Sequence, residues 1–117
     1  MADPAAARRA AWFERAHAAN APPQAAALPE AWQAALDEMK RAYCAGAWAA
    51  TVVLAFALAE AAQRRGATDD AEFDWLRERR NRVAHLGADY PDESELEESA
   101  AGAVRIALRL AYTAAWR

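Results

Sequence analysis

The chain is rich in alanine and poor in β-branched residues, and this composition constrains its fold more than any other feature. Hydrophobic residues make up 56% of the 117 residues, and much of that share is alanine. The β-branched residues are few: Val52, Val53, Val83, Val104, Ile106 and three threonines. Alanine has the highest intrinsic helix propensity, whereas strands favour β-branched residues. The chain is therefore predicted to be all-α.

Apolar periodicity, prolines and glycines divide the chain into five predicted helices. They run from Pro4 to Ala18, from Pro29 to Tyr43, from Gly46 to Arg65, from Asp69 to Leu86 or Gly87, and from Asp92 or Ser94 toward Trp116. Whether the second and third form one continuous helix stays open, because a single glycine among alanines does not break a helix. Short connections between such helices favour antiparallel neighbours. The expected architecture is one domain, residues 1–117, built as an antiparallel bundle of about five helices.

Charge and cysteine content narrow the class of protein. The net charge of −3 is mildly acidic and does not by itself indicate nucleic-acid binding. Cys44 is the only cysteine, and the segment Met1–Pro4 lacks the basic and hydrophobic regions of a signal peptide. The uncharged stretch from Tyr43 to Ala59 is interpreted as a buried central helix rather than a membrane span. A cytoplasmic location without membrane attachment is therefore expected.

The fourth predicted helix carries an arginine at a position that its periodicity assigns to the core. The apolar residues of that face are Phe73, Leu76, Val83 and Ala84. At about 100° per residue, Arg80 lies in the middle of the same face. Burying an unpaired guanidinium costs several kcal/mol. Arg80 is thus expected either to pair with an acid, for which Glu60 is the candidate, or to border a cleft that is open to water.

Arg80 also begins a short segment with the side chains that phosphodiester chemistry needs. The segment reads Arg80-Asn81-Arg82-Val83-Ala84-His85. Arginine binds phosphate through a fixed fork of donors, and histidine titrates near neutral pH. Arg77, Asn81 and His85 follow one another at one-turn spacing beside Arg80. The segment predicts a candidate phosphate-binding or catalytic site near the end of the fourth helix.

Arginines concentrate before and within this segment, and acids follow it. The basic residues are Arg64, Arg65, Arg77, Arg79, Arg80 and Arg82, and the acidic ones are Asp89, Asp92, Glu93, Glu95, Glu97 and Glu98. Two interpretations stay open. In the first, these are solvated faces of opposite charge. In the second, they form a basic patch for phosphate, with Arg77 and Arg82 contacting RNA and the acids repelling RNA elsewhere.

The R-(polar)-x-x-x-H pattern of Arg80, Asn81 and His85 resembles the motif of HEPN domains. These are small all-helical domains common in prokaryotic toxins and in defence and RNA-processing proteins. The small-residue segment from Tyr43 to Ala50, leading to Glu60, is similar to a helix pair that precedes the motif in that family and ends in an acidic residue. The resemblance covers about residues 29–117, and the predicted N-terminal helix within residues 1–25 has no counterpart in it.

The resemblance implies a metal-independent endoribonuclease that acts as a homodimer, with motif helices from two protomers facing each other across a composite cleft. His85 would then act as general base or acid on the ribose 2′-hydroxyl and the leaving group. Arg80 would stabilise the charged pentacoordinate phosphate, and Asn81 would orient the phosphate or His85. The expected product carries a 2′,3′-cyclic phosphate. Toxins of this family are often paired with a nucleotidyltransferase-like protein, so an antitoxin partner is a further expectation.

Two other interpretations stay open. Many HEPN domains are catalytically silent, so the chain is alternatively a non-catalytic module that binds a partner protein or a nucleotide. It is otherwise a plain helical scaffold in which Arg80 pairs with Glu60 and His85 favours the C-terminal end of its helix dipole. No metal or organic cofactor is expected, because two histidines and one cysteine make a zinc site unfavourable and no glycine-rich phosphate loop is present.

Overall fold

The chain forms a bundle of α-helices. The computed structural model describes residues 3–22, 27–67 and 69–116, and none of these lies in a strand. The helices within these ranges are α1 (Pro4–Asn20), α2 (Glu30–Cys44), α3 (Trp48–Arg64), α4 (Asp70–His85) and α5 (Glu93–Trp116). The all-α prediction is confirmed, and each predicted helix end lies within two residues of the observed one.

Aspartate side chains start three of the helices. Asp3 accepts a hydrogen bond from the backbone N–H of Ala5 at 2.9 Å, and Asp69 accepts one from Glu72 at 3.1 Å. Asp92 accepts from the N–H of Glu95 at 2.8 Å. Aspartate is among the preferred N-cap residues because it satisfies a backbone donor that the helix leaves free. Of the two residues proposed to cap the fifth helix, Asp92 is therefore the one that does so.

The second and third helices are separate, because α2 ends at a glycine in a left-handed conformation. Gly46 has φ +74°, and its N–H donates to the carbonyl of Tyr43 at 3.0 Å. The N–H of Ala47 donates to the carbonyl of Ala42 at 2.9 Å. This pair of bonds is a Schellman motif, which favours glycine because a Cβ is disfavoured at positive φ. Gly66, at φ +97°, ends α3 in the same way.

The core is built around α3, which packs against α2, α4 and α5. Helices α3 and α5, which pack against each other, both bury alanines that solvent does not reach: Ala55, Ala59, Ala62, Ala103, Ala107 and Ala111. Small side chains let two helix backbones approach closely, so the alanine content supports the packing as well as the helix propensity. The uncharged stretch predicted to be buried thus supplies the central helix. No helix in the described ranges is long and apolar enough to cross a membrane.

Helix α1, for which the sequence indicated no role, is an integral part of the bundle. It packs against α2 and α5, and it buries Phe13 and Ala16 in the shared core. Trp12 stacks on Tyr43 of α2 with ring centroids 4.7 Å apart. Glu14 accepts a hydrogen bond from Lys40 of α2. These contacts fix the orientation of α1, and therefore the direction in which its remaining side chains point.

Candidate functional site

Arg80, the charged residue at a core position of α4, lies against the face of a phenylalanine of α3. Its guanidinium carbon is 4.2 Å from the centre of the Phe56 ring, within cation–π range. The side chain is half-buried, and its Nε is buried without a hydrogen-bond partner among the described residues. Leaving a buried donor unpaired costs about 1–3 kcal/mol. Arg80 is thus a fixed cation to which the described part of the chain offers no acceptor.

The expected pair between Arg80 and Glu60 is not formed. Glu60 instead accepts from Arg64 at 3.1 Å, and no ion pair within 4.0 Å joins it to Arg80 in the described ranges. The local pair is favoured because Glu60 and Arg64 are one turn apart in α3, with the acid nearer the N-terminus. The scaffold interpretation therefore lacks the contact on which it rested.

His85 and Asn81 lie near the C-terminal end of α4. His85 is the last residue of the helix and is exposed, and Asn81 is half-buried. Residues 84–90 are exposed throughout, so Ala84, which the periodicity assigned to the core face, is exposed although its neighbour Val83 is buried. Among the described residues, neither His85 nor Asn81 has a side-chain hydrogen bond to another group. Both are accessible to a ligand.

The helix ends directly after His85 in a conformation that disfavours side chains. Leu86 has φ +48° and is 75% exposed. A non-glycine residue in the left-handed region costs about 1–2 kcal/mol. Gly87, one position later, could adopt a left-handed conformation without this cost, yet the residue that adopts it is Leu86. The chain therefore turns immediately beyond the histidine, and His85 is exposed at the C-terminal end of α4.

Arg80 and His85 do not converge on one point within a single chain. Five residues along a helix rotate the side-chain direction by about 140° and advance it by about 7.5 Å. Arg80 accordingly faces Phe56 of α3, whereas His85 faces solvent. One copy of α4 thus presents the guanidinium of Arg80 and the imidazole of His85 on different sides.

Arg77 and Arg82, the two predicted RNA contacts, are each paired with an acid of their own helix. Arg77 donates to Asp74 at 3.3 Å, and Arg82 donates to Glu78 at 2.9 Å. Such exposed pairs contribute about 0–1 kcal/mol to stability. They nevertheless neutralise much of the charge that a phosphate would meet. Contact of these two residues with RNA stays a prediction.

Arg79 is the neighbour of Arg80 in sequence and its counterpart on another face of α4. Its guanidinium carbon is 4.9 Å from the centre of the Trp75 ring, and its Nε is also buried without a partner among the described residues. It borders a small cavity of about 110 Å³ together with Glu95 and Glu98 of α5. Two of the acids that follow the motif, Glu95 and Glu98, therefore border this cavity with Arg79, and neither is paired with Arg80.

A larger cavity of about 590 Å³ lies between α4 and α5, and the motif residues do not line it. Trp75, Ile106 and Gly102 form its apolar wall. A Cβ built on Gly102 would come within 2.7 Å of the Trp75 ring, so glycine is what lets this tryptophan lie against α5. Arg109 at the rim is paired with Asp69, at 3.1 Å, and with Glu72. These contacts hold the first turn of α4 against α5.

Two arginines of α1 lie outside the segment predicted from the sequence and are further candidates for binding an anion. Arg8 and Arg15 are exposed, and no ion pair within 4.0 Å reaches either of them from the described residues. The spacing of charges in the sequence could have indicated that these two arginines are unpaired. Neither arginine has an acid three or four positions away, the spacing at which a helix neutralises its own charges.

No family model, no curated protein and no solved structure matches this chain. In the described ranges, no three or more His, Cys, Asp or Glu side chains are grouped so as to hold a metal ion. The functional assignment therefore depends on the residues of this chain.

Proposed function

We propose that this protein is a metal-independent endoribonuclease of HEPN type that cleaves RNA at a composite site in a homodimer. The observation that supports the proposal most directly is the state of Arg80. It is a cation held on an aromatic ring, at a core position, without a counter-ion among the described residues. A guanidinium with free donors is suited to a phosphate, which brings the acceptors that the protein itself does not supply.

Arg80, Asn81 and His85 each have a separate role in the proposed reaction. His85 accepts the proton of the ribose 2′-hydroxyl as that oxygen attacks phosphorus. Arg80 binds the phosphoryl oxygens and stabilises the charge that develops on them. Asn81, one helical turn before His85, orients the phosphate. The bond from phosphorus to the 5′-oxygen breaks, the protonated His85 gives its proton to that oxygen, and a 2′,3′-cyclic phosphate remains.

The proposal requires two copies because of the geometry of α4. Within one chain the side chains of Arg80 and His85 leave the helix about 140° apart. If two α4 helices face each other, Arg80 of one copy and His85 of the other can approach the same phosphate. His85 is exposed at the tip of α4, and the neighbouring Leu86 is an exposed apolar residue available for such a contact. The homodimer is part of the proposal.

The biological role belongs to the same proposal. The resemblance on which it draws is to prokaryotic toxins and defence proteins, so we assign the protein to that class, acting on cytoplasmic RNA. An antitoxin that binds the α4 tip would control such an activity. These assignments rest on the HEPN-like segment alone.

The test is cleavage of RNA in the presence of EDTA, with two variants that are matched in chemistry. Arg80→Met and Arg79→Met each remove a guanidinium whose Nε is buried and unpaired, from neighbouring positions of one helix. We expect cleavage by the wild type and by Arg79→Met, with cyclic-phosphate ends. Arg80→Met and His85→Ala should each lose about 100-fold or more in rate, the usual contribution of such a group.

Equal losses of cleavage rate in Arg79→Met and Arg80→Met would contradict the catalytic role of Arg80. The loss would then result from removing a positive charge from α4, whichever of the two positions carried it. Absence of cleavage by the wild type over a broad set of RNAs would favour the non-catalytic HEPN-like module. In that case capture of a partner protein or a nucleotide by the wild type, and not by Arg80→Met, would identify the same surface as a binding site.

A further inference from the structure

Helix α1 and the facing part of α2 and α5 form a positively charged groove that lies apart from the α4 segment. A cavity of about 310 Å³ is lined there by Arg8, Arg9, Trp12, Arg15, Tyr43 and Glu97. Three of these residues are arginines, and Glu97 is the only acid among them. We refer to this surface as the α1 groove. We propose that the α1 groove binds the sugar–phosphate backbone of single-stranded RNA.

The arginines of the α1 groove fall into two kinds. Arg9 is part of the scaffold: its Nε donates to the carbonyl of Cys44 at 2.8 Å, and its guanidinium carbon is 5.7 Å from the Trp48 ring. It thereby ties α1 to the turn between α2 and α3. Arg8 and Arg15 are exposed and have no ion-pair partner among the described residues. These two are available to a ligand.

The spacing of Arg8 and Arg15 suits an extended anion. They are seven residues apart, which places them on one face of α1 at about 10 Å along the axis. Trp12 lies between them on the same face. A stacked nucleic-acid strand advances about 3.4 Å per nucleotide, so the two guanidinium groups match phosphates about three nucleotides apart.

The groove is suited to the backbone rather than to the bases. Trp12 is stacked on Tyr43 on one side, and the guanidinium carbon of Arg105 lies 5.5 Å from its ring centre. The ring is therefore already occupied and is not a free platform for a base. Burial raises the pKa of Tyr43 above its usual range, so its phenol stays protonated and does not oppose an anion.

An anionic membrane fits the same surface less well. A helix that binds at a membrane surface inserts its large apolar side chains into the lipid. On α1 those side chains are Trp12 and Phe13: Phe13 is buried, and Trp12 is half-buried with its ring stacked on Tyr43. The exposed residues of α1 are charged or small, and none of them has a large apolar side chain. RNA, a polyanion, is the partner that this surface fits.

This inference rests on the proposed function only for the choice of RNA as the polyanion. The experiment is therefore a binding measurement on His85→Ala protein, which leaves the RNA uncut. Fluorescein-labelled oligouridylate is titrated, and fluorescence anisotropy gives Kd over a series of salt concentrations. The variant Arg8→Gln/Arg15→Gln is compared with Arg41→Gln/Arg64→Gln. The control removes the same charge from two exposed arginines that already pair with Glu38 and Glu60.

We expect Arg8→Gln/Arg15→Gln to weaken binding about tenfold near physiological salt, and to lower the slope of log Kd against log salt concentration by about 1.4, since each phosphate contact on a single strand contributes about 0.7. The control should change Kd less than about twofold and leave the slope unchanged. Equal weakening by both variants, or none by the first, would overturn the inference. The inference would also be overturned if Arg8→Gln/Arg15→Gln no longer bound phosphatidylserine vesicles that the wild type binds, while its affinity for RNA was unchanged.

The proposal of a ribonuclease and the proposal of RNA binding by the α1 groove can be contradicted independently of each other. Binding of RNA that depends on Arg8 and Arg15, without cleavage by the protein that retains His85, overturns the ribonuclease and supports the α1 groove. Cleavage that depends on Arg80 and His85, with RNA binding unaffected by Arg8→Gln/Arg15→Gln, supports the ribonuclease and overturns the α1 groove.

Discussion

Helices α1 and α4 both carry several arginines, but the acids that surround these arginines differ. In α4, Asp74 lies three residues before Arg77 and Glu78 lies four residues before Arg82, and both pairs form. In α1 the acid within the helix is Glu14, and it binds Lys40 of α2 instead. The charge of α4 is therefore largely balanced along its own surface, whereas that of α1 is not.

The arginines without a helical acid behave in two ways, according to what lies next to them. Arg79 and Arg80 have no acid three or four positions away, and each lies over an aromatic ring with its Nε buried and unpaired. Arg8 and Arg15 also have no such acid, but they point to solvent. The number of arginines thus says little about where an anion binds. What decides it is which of them remain unpaired, and whether each is held in place or free.

The largest expected effect is on the free energy of unfolding, and it tests whether α1 is packed into the core as firmly as α4. Phe13 is fully buried and anchors α1 in the shared core. Phe13→Ala should lower the free energy of unfolding by about 3–5 kcal/mol, because it leaves a cavity that the helices cannot fill. Urea denaturation measures the change, and Arg8→Ala, on the exposed face, should stay within about 0.5 kcal/mol of the wild type. A loss below about 1 kcal/mol for Phe13→Ala would mean that α1 is only loosely attached.

A smaller effect is expected for the two arginines that α4 holds on aromatic rings. Arg80→Met and Arg79→Met each remove a buried donor without a partner and lose a cation–π contact. Because these effects oppose each other, the free energy of unfolding should be unchanged or higher by up to about 1 kcal/mol. Thermal and urea unfolding of both variants measure it. A loss of more than about 2 kcal/mol in Arg80→Met would show that an acid pairs with Arg80 in solution.

The smallest effect concerns the ion pair that joins α1 to α2. The hydrogen bond from Lys40 and its charge lower the pKa of Glu14, and the same hydrogen bond raises the pKa of Lys40. A lowered carboxyl pKa stabilises the fold above the ordinary pKa of glutamate, and this contribution is lost as the pH falls through the folded-state value. A raised lysine pKa acts in the opposite sense: its contribution is lost as the pH rises through the folded-state value.

Glu14→Gln should therefore cost at most about 0.5 kcal/mol near neutral pH, because the pair is exposed, and nothing at a pH well below the ordinary carboxyl range. Unfolding free energies of wild type and variant at the two pH values measure this difference. Glu38→Gln, which alters a carboxylate 3.9 Å from Arg41 on α2 alone, is the control. A difference that persists at low pH would mean that Glu14 contributes by packing rather than by charge.

Part of the candidate site could be predicted from the sequence, and part could not. The periodicity of α4 placed Arg80 on the core side, and it does lie against α3. The same periodicity could not foresee that Phe56, rather than Glu60, would be its neighbour. Nor could it foresee that Ala84 and His85 would both be exposed at the end of α4. The amphipathic pattern says which side of a helix is apolar, but not how far the neighbouring helices extend along it.

What the sequence alone determined is everything that depends on residues within about one turn of each other. The alanine content specifies helices, Asp3, Asp69 and Asp92 start three of them, and Gly66 ends α3. Pairs such as Glu60 with Arg64 follow from the same short spacing. These features need no knowledge of the fold, because the interacting groups are adjacent on one helix.

The tertiary structure alone decided the contacts between groups that are distant in sequence. It placed Arg80 over Phe56, brought Trp75 against Gly102, and joined Arg9 to the turn after α2. Each of these depends on the relative rotation and position of whole helices. That arrangement is set by the packing of many small buried side chains at once, and no short segment of the sequence encodes it.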